Sequence, residues 1–312
     1  GVAIRSRPVP ARIARAAWLR GDWFDAQWIA GPADVVHGPN FVVPPGDGAA
    51  EVVTVHDLTA VRFPEMCTTD VLLWPDLVPA AVRRGAWIHT VSEAVAAEVR
   101  EAFRVDPDRV VAVPNGMRRP PGPTPATDAA RGRRLAGGDR YVLAVGTVEP
   151  RKDLPGLVAA FDALAADDPG LRLVLAGPDG WGAGELTDAR DRARHRNRIL
   201  RLGWVSDDDR VALLRGASVV VQASRYEGFG LVPLEALAVG TPVVATRVGA
   251  LPEVLGSDAA RFAEPGDVDS LATAIADVLG HDDLAAGIVA AGQPRVDAFT
   301  WERTVEGVVD LY

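Results

Sequence analysis

Between residues 140 and 249 two patterns alternate in a way that few architectures accommodate. Short, nearly uninterrupted apolar runs occur at 140–146 (RYVLAVG), 171–177 (LRLVLAG), 199–205 (ILRLGWV), 218–224 (SVVVQAS) and 241–249 (TPVVATRVG). Between them lie segments of helical period, as at 154–167, where Leu157, Val158, Phe161 and Leu164 share one face. A strand that is apolar on both faces needs cover on both, so the pattern predicts a parallel sheet with helices on either side. Several runs end in Gly or a small polar residue. The loops that follow them therefore lie at the carboxyl edge, where open α/β sheets bind ligands.

The first third repeats the style with fewer elements. Residues 33–45, 51–59, 86–92 and 109–117 read as strands, with a helix at 93–103. The stretch 118–139 is rich in Pro, Gly and charge and is predicted to be a linker. The expected organisation is an acceptor-binding lobe over 1–117, the linker, a second lobe over 140–298, and a helix at 299–312 returning to the first lobe. The fold class is α/β: two doubly wound, Rossmann-like lobes facing a cleft.

Composition narrows the function. With 312 residues, 48% hydrophobic and 24% charged, the chain is long enough for two cores. Its net charge of −9 argues against nucleic acid as a partner. A single cysteine, Cys67, excludes an internal disulfide framework. No apolar run reaches the roughly 18 residues of a membrane span, and no signal peptide is visible. The sequence opens abruptly at GVAIRSRPVP, and its natural N-terminus is expected to be missing.

Two polar constellations sit at the predicted carboxyl edge. In 225–246 (RYEGFGLVPLEALAVGTPVVAT), Gly228, Gly230 and Pro233 forbid a continuous helix from 227 to 235. Pro233 suits the first turn of a helix and Gly240 its C′ position, so Glu227 lies in a loop and Glu235 in the helix after it. Two carboxylates then flank a helix N-terminus, whose free N–H groups suit a phosphate. A ligand with a central phosphate and hydroxyls on both sides matches, and a nucleotide-sugar has that layout. An isolated glutamate is ordinarily a capping or solvated charge; the glycines and the helix weigh against that here. The second constellation, 146–154 (GTVEPRKDL), puts Arg151 and Lys152 after a strand. Such a pair is commonly just solvated, but at a strand end it can neutralise a diphosphate without a metal.

Together EGFGLVPLE, GTVEPRKDL, LVLAGPDGW, GWVSDDDRVALLRGASVVVQAS, GTPVVATRVGALPEV and FTWERT resemble the family 4 (group 1) glycosyltransferases of the GT-B fold, over roughly residues 33–312. HD at 56–57 and PNG at 114–116 are closest to its mannosyltransferase-like branch. The resemblance implies a retaining transfer from a nucleotide-diphosphate sugar, GDP-mannose preferred, to a glycan, lipid-linked or small-molecule acceptor, with no cofactor and no metal. It implies that Glu235 holds the ribose hydroxyls and Glu227 the donor sugar, and that Arg151 and Lys152 stabilise the departing diphosphate. It implies too that backbone N–H groups of Phe229, Gly230 and Leu231, with Gly146 and Thr147, face the donor and that Asn115 shapes the hinge near it. His56, a lone histidine that would otherwise be structural, lies near the reacting sugar; Asp57 orients its loop. The family opens with a strand and a Gly-rich loop, and nothing before Ala33 reads as either.

The remaining features divide less sharply. His37, His89, His195 and His281 lack metal-ligand spacing. The acidic run at 206–210 reads as a helix N-cap and dipole partner, and 188–201 as a solvated, Arg-rich helix. Residues 5–24 alternate Arg5, Arg7, Arg12, Arg15 and Arg20 with Ile13, Ala17, Trp18 and Leu19. They read as an amphipathic helix packed on the first lobe or as a peripheral contact with an anionic membrane. The expected location is cytoplasmic, with a peripheral contact at the inner membrane face as the alternative. Rival readings are a sugar-nucleotide epimerase or phosphorylase of the same fold, and an inactive sugar-nucleotide-binding protein.

Overall fold

The computed structural model describes residues 4–21, 23–120 and 127–312. The chain divides into two compact units, residues 1–115 with 302–312, and residues 116–301. Unit 1 holds a parallel sheet in the order β1 (Val35–Gly38), β2 (Ala50–Val55), β3 (Trp87–Thr90), β4 (Val110–Ala112). Val52, Val53, Val55 and Ile88 are almost wholly buried in it. The helix Glu93–Phe103 starts where Ser92 Oγ accepts the Val95 N–H at 3.1 Å. A helix the periodicity missed, Trp74–Arg83, buries Leu77, Val78, Ala80 and Ala81. Pro75 and Pro79 mask it in the sequence, although Pro75 occupies the first turn, where no N–H is needed. Of the predicted strand 33–45, only Val35–Gly38 forms one. From residue 302 the helix Trp301–Leu311 belongs to unit 1, and Thr304 Oγ1 donates to the Pro114 carbonyl at 2.7 Å.

Unit 2 carries six parallel strands: β5 (Arg140–Val145), β6 (Leu171–Ala176), β7 (Ile199–Gly203), β8 (Val219–Gln222), β9 (Val243–Thr246) and β10 (Arg261–Ala263). Their order is β10-β9-β8-β5-β6-β7. Consecutive residues of β5 and β8 are buried, so both faces of the sheet are covered, as continuous apolar strands require. Leu157, Val158 and Phe161 of the helix Leu154–Leu164 are buried, each such side chain contributing about 1.5–3 kcal/mol. The strand order reverses at β5, which pairs with β6 on one side and β8 on the other. The loops after β5 and β8 therefore diverge, opening the crevice in which α/β sheets bind ligands.

Two sequence expectations are corrected here. Within the stretch predicted as a linker, Thr127–Ala136 is a helix of unit 2 packed against the helix Asp207–Gly216. Gly132 allows the contact, because a Cβ there would lie 2.0 Å from the Ala212 carbonyl oxygen. Arg131 pairs with Asp209 at 2.6 Å and Arg215 with Asp128 at 2.7 Å, so part of the charge that looked like linker composition joins two helices. Residues 121–126 of that stretch lie outside the described residues. The Arg-rich segment 188–201 is not one solvated helix either. The helix ends at Arg192, and Arg198 turns back to donate to the Asp168 carbonyl at 2.7 Å and to that of Ala165.

Gly177 sets the spacing of the β5 and β6 loops. Its φ is +149°, and a Cβ would lie 2.0 Å from the Gly146 carbonyl oxygen. Gly177→Ala is expected to lower stability by about 2–4 kcal/mol, from backbone strain plus overpacking. Urea denaturation checks this: an unchanged midpoint would show that the loop after β5 gives way freely.

Candidate active site

The site is assembled by the loops after β5 and β8 of unit 2. The loop after β5 carries Glu149, then a single 3₁₀ turn, Pro150–Lys152, that presents Arg151 and Lys152 together. Asp153, in the left-handed region at φ 46°, starts the next helix and pairs with Arg225 at 3.2 Å. The loop after β8 runs alongside: Arg225 N–H donates to the Arg151 carbonyl at 2.8 Å, and Arg151 Nη1 donates to the Tyr226 carbonyl at 3.1 Å. An open recess at this edge is lined by Gly146, Thr147, Lys152, Gly177, Arg201 and Ser224.

Glu227 is the centre of this arrangement and is only 6% exposed. Its Oε2 accepts Arg151 Nη1 at 2.8 Å; its Oε1 accepts Lys152 Nζ at 2.6 Å, Ser224 Oγ at 2.7 Å and Gln222 Nε2 at 2.5 Å. Glu149 takes the other arm of Arg151 at 2.7 Å. Burial pushes the Glu227 carboxyl up, but the charges of Lys152 and Arg151 and the hydrogen bonds from Lys152 and Ser224 outweigh it and hold the group at about 2. The backbone is fixed as well: Ala250 N–H donates to the Glu227 carbonyl at 2.9 Å. Gly249, at φ +49°, passes so close that a Cβ would lie 2.1 Å from that oxygen.

The second glutamate faces a different partner. The helix Leu231–Ala238 begins after Gly230 and ends in a Schellman closure, with Gly240 N–H bonded to the Leu237 carbonyl and Thr241 N–H to that of Ala236. Pro233 lies in its first turn, as the sequence predicts. Glu235, on this helix, pairs with Arg210 of the helix Asp207–Gly216. Ser206 Oγ caps that second helix by accepting the Asp209 N–H at 3.2 Å, and Asp207, Asp208 and Asp209 fill its first turn, as the acidic run predicts. Phe229 is buried against Phe299, ring centroids 5.3 Å apart, and Leu231 opens the helix half-exposed.

Three of the residues singled out from the sequence belong to unit 1. His56 follows β2 and donates Nε2–H to the Pro39 carbonyl at 2.8 Å. Asp57 Oδ1 accepts the Thr59 N–H at 2.9 Å and so shapes the loop. Asn115 is the last residue before the chain passes into unit 2. Sequence reasoning did not single out Glu149, Gln222, Ser224 or Arg201. Arg201 reaches the recess from β7 and donates to Thr187 Oγ1 at 3.1 Å.

With this geometry in hand, comparison with known proteins decides the family. A family model described as "Glycosyl transferases group 1" matches residues 127–294. The chain belongs to the group 1 glycosyltransferases. This group 1 glycosyltransferase is 32% identical over 304 residues to the "O-antigen chain mannosyltransferase B" of Escherichia coli, covering 96% of this chain and 77% of that protein. It superposes on WaaG, "a glycosyltransferase involved in lipopolysaccharide biosynthesis", with a TM-score of 0.73 at 17% identity, over 89% of this chain and 78% of that one. Against Anabaena Alr3699/HepE in complex with UDP-glucose the TM-score is 0.71 at 22% identity, over 84% and 72% of the two chains. These likenesses show the GT-B fold.

The depressed Glu227 pKa sets a pH signature. Because the folded value, about 2, lies below the ordinary 4.5, the group adds stability above pH 4.5 that is lost as pH falls from there toward 2. Glu227→Gln is expected to flatten that part of the stability–pH curve. It is also expected to cost about 3–5 kcal/mol at pH 7, since Arg151 and Lys152 lose their buried counter-charge. Urea unfolding at pH 7 and at pH 3.5 checks both; parallel curves for the two proteins would refute the assignment.

Proposed function

We propose that this group 1 glycosyltransferase is a retaining, metal-independent enzyme that moves mannose from GDP-mannose to a glycan or lipid-linked acceptor. Unit 2 binds the donor; unit 1, with His56, receives the acceptor. The observation that carries this is the adjacent pair Arg151 and Lys152, held on Glu227 beside a recess at the strand-order switch. A lysine ammonium has three donors, and Glu227 takes one of those of Lys152. Cations fixed in a partly dry site stabilise charge developing on a leaving diphosphate far better than mobile ones in water. The mannosyltransferase name of the Escherichia coli relative supports the sugar, and the UDP-glucose complex of the Anabaena protein supports a nucleotide-sugar as donor.

Glu235 is assigned to the ribose, with Arg210 holding its carboxylate in place. Gly146, Thr147 and the N–H groups of Phe229, Gly230 and Leu231 are assigned to the phosphates and sugar. Losing Arg151 or Lys152 is expected to lower turnover 10²–10³-fold, or about 3–4 kcal/mol, by analogy with one oxyanion donor. The readout is release of GDP from GDP-mannose in the presence of EDTA. Activity abolished by EDTA and restored by Mg²⁺ or Mn²⁺ would overturn the mechanism. Glu235→Ala is expected to weaken GDP binding by about 1.5–3 kcal/mol, which calorimetry measures directly; wild-type affinity would remove Glu235 from the ribose.

The basic N-terminal segment is proposed to meet an anionic membrane at the cytoplasmic face. No described helix is long and apolar enough to cross a membrane. In the helix Ala11–Trp18, Ala14 and Ala17 are buried, while Ile13 and Arg12 are exposed, as is Trp23 beyond it. Such a surface suits anionic lipid, at about 1 kcal/mol per arginine near the headgroups. Vesicles containing phosphatidylglycerol are expected to co-sediment the wild type but not the Arg12→Glu/Arg15→Glu variant. Equal sedimentation with pure phosphatidylcholine would contradict an electrostatic contact.

A further inference from the structure

Glu227 accepts four side-chain donors, and only two of them come from the cations. The other two form a closed ring. Gln222, the last residue of β8, is 4% exposed, and its Nε2 donates to Ser224 Oγ at 2.8 Å and to Glu227 Oε1 at 2.5 Å. Ser224, fully buried, donates its hydroxyl to the same Oε1 at 2.7 Å. A carboxylate only accepts, so the direction of every bond is set: the Gln222 amide donates to both oxygens, and the serine hydroxyl accepts one bond and donates another. The ring is held from behind, since Thr246 Oγ1 on β9 donates to the Ser224 carbonyl at 2.5 Å and Gln222 lies opposite Ala245.

Packing alone would favour an aliphatic side chain at 222. The three preceding residues, Val219, Val220 and Val221, are buried valines, and a buried amide is costly unless it is bonded. A second requirement comes from the donor. Lys152 cannot direct its full charge to a diphosphate and to Glu227 at once. A buried carboxylate that loses a cation partner tends to take up a proton. The Gln222 amide and the Ser224 hydroxyl carry no net charge, so a diphosphate pulls on them far less than on Lys152, and their bonds to Oε1 hold the carboxylate.

We propose that Gln222 and Ser224 are positioning residues that keep Glu227 charged and in place while Lys152, still held on Glu227, shares its charge with the donor diphosphate. This rests on the assignment of Arg151 and Lys152 to that diphosphate. The charged groups that face Glu227 are Arg151 and Lys152, with Glu149 on the far arm of Arg151, while Arg225 is turned to Asp153.

The test follows the Glu227 side-chain carboxyl by ¹³C NMR in protein labelled at glutamate. In the wild type it is expected to stay ionised down to the lowest pH at which the fold persists. Gln222→Leu and Ser224→Ala are each expected to raise its midpoint by about one unit or more, a tenfold change in the protonation equilibrium. Gln222→Met takes the place of Gln222→Leu if the latter does not fold. Inorganic pyrophosphate then stands in for the donor, with calorimetry near pH 5.5 in two buffers of different ionisation enthalpy. The variants are expected to take up more proton on binding than the wild type. A wild-type midpoint in all variants, with no extra uptake, overturns the proposal. Pyrophosphate that fails to bind the wild type, or binds Lys152→Ala equally well, overturns the diphosphate assignment instead, and the ligand-free titration still judges the ring.

Discussion

The buried carboxylate of Glu227, clamped between Lys152 and Arg151, is the interaction on which the site depends. It ties the loop after β5 to the loop after β8 at the point where the strand order reverses. A buried ion pair is weak evidence of stability, because desolvation offsets much of the attraction. Its value here is geometric. Two long cationic side chains that would otherwise sample many rotamers are held side by side, before any ligand arrives. Glu149 restrains Arg151 further by taking its second arm.

That clamp needs close backbone approaches around it. Gly177 lets the β6 loop pass against Gly146, and Gly249 lets the turn after β9 reach the carbonyl of Glu227. The sheet supplies the rest. With both faces covered by helices, its carboxyl edge is where polar side chains can gather, and β5, β7 and β8 with the loops after them bring Arg151, Lys152, Arg201, Ser224 and Glu227 there from sequence positions up to 76 apart.

Where local pattern decides, the sequence was readable. Continuous apolar runs located five of the six strands of unit 2, all but the short edge strand β10, the Gly-Pro-Gly punctuation located the helix Leu231–Ala238, and Ser206 with its three aspartates located another helix start. Where tertiary contact decides, it was not. The charges of Thr127–Ala136 looked like a linker because their partners, Asp209 and Arg215, lie more than 70 residues away. Prolines hid Trp74–Arg83. The resemblance placed Arg151, Lys152 and Glu227 in one site, and the structure joins the three: the Glu227 oxygens accept from both cations, Ser224 and Gln222. Gln222 and Ser224 carried no signal, since a glutamine at a strand end and a serine after it are ordinary until the fold turns them onto a buried charge.

The central claim is that Arg151 and Lys152 recognise the diphosphate of a nucleotide-sugar. It is tested most directly by comparing the calorimetric affinities of GDP and GMP in the wild type and in Lys152→Ala. The β-phosphate is expected to strengthen binding at least about tenfold in the wild type, or 1.4 kcal/mol, and to contribute almost nothing in Lys152→Ala. A preference for GDP that survives intact in Lys152→Ala would contradict the account.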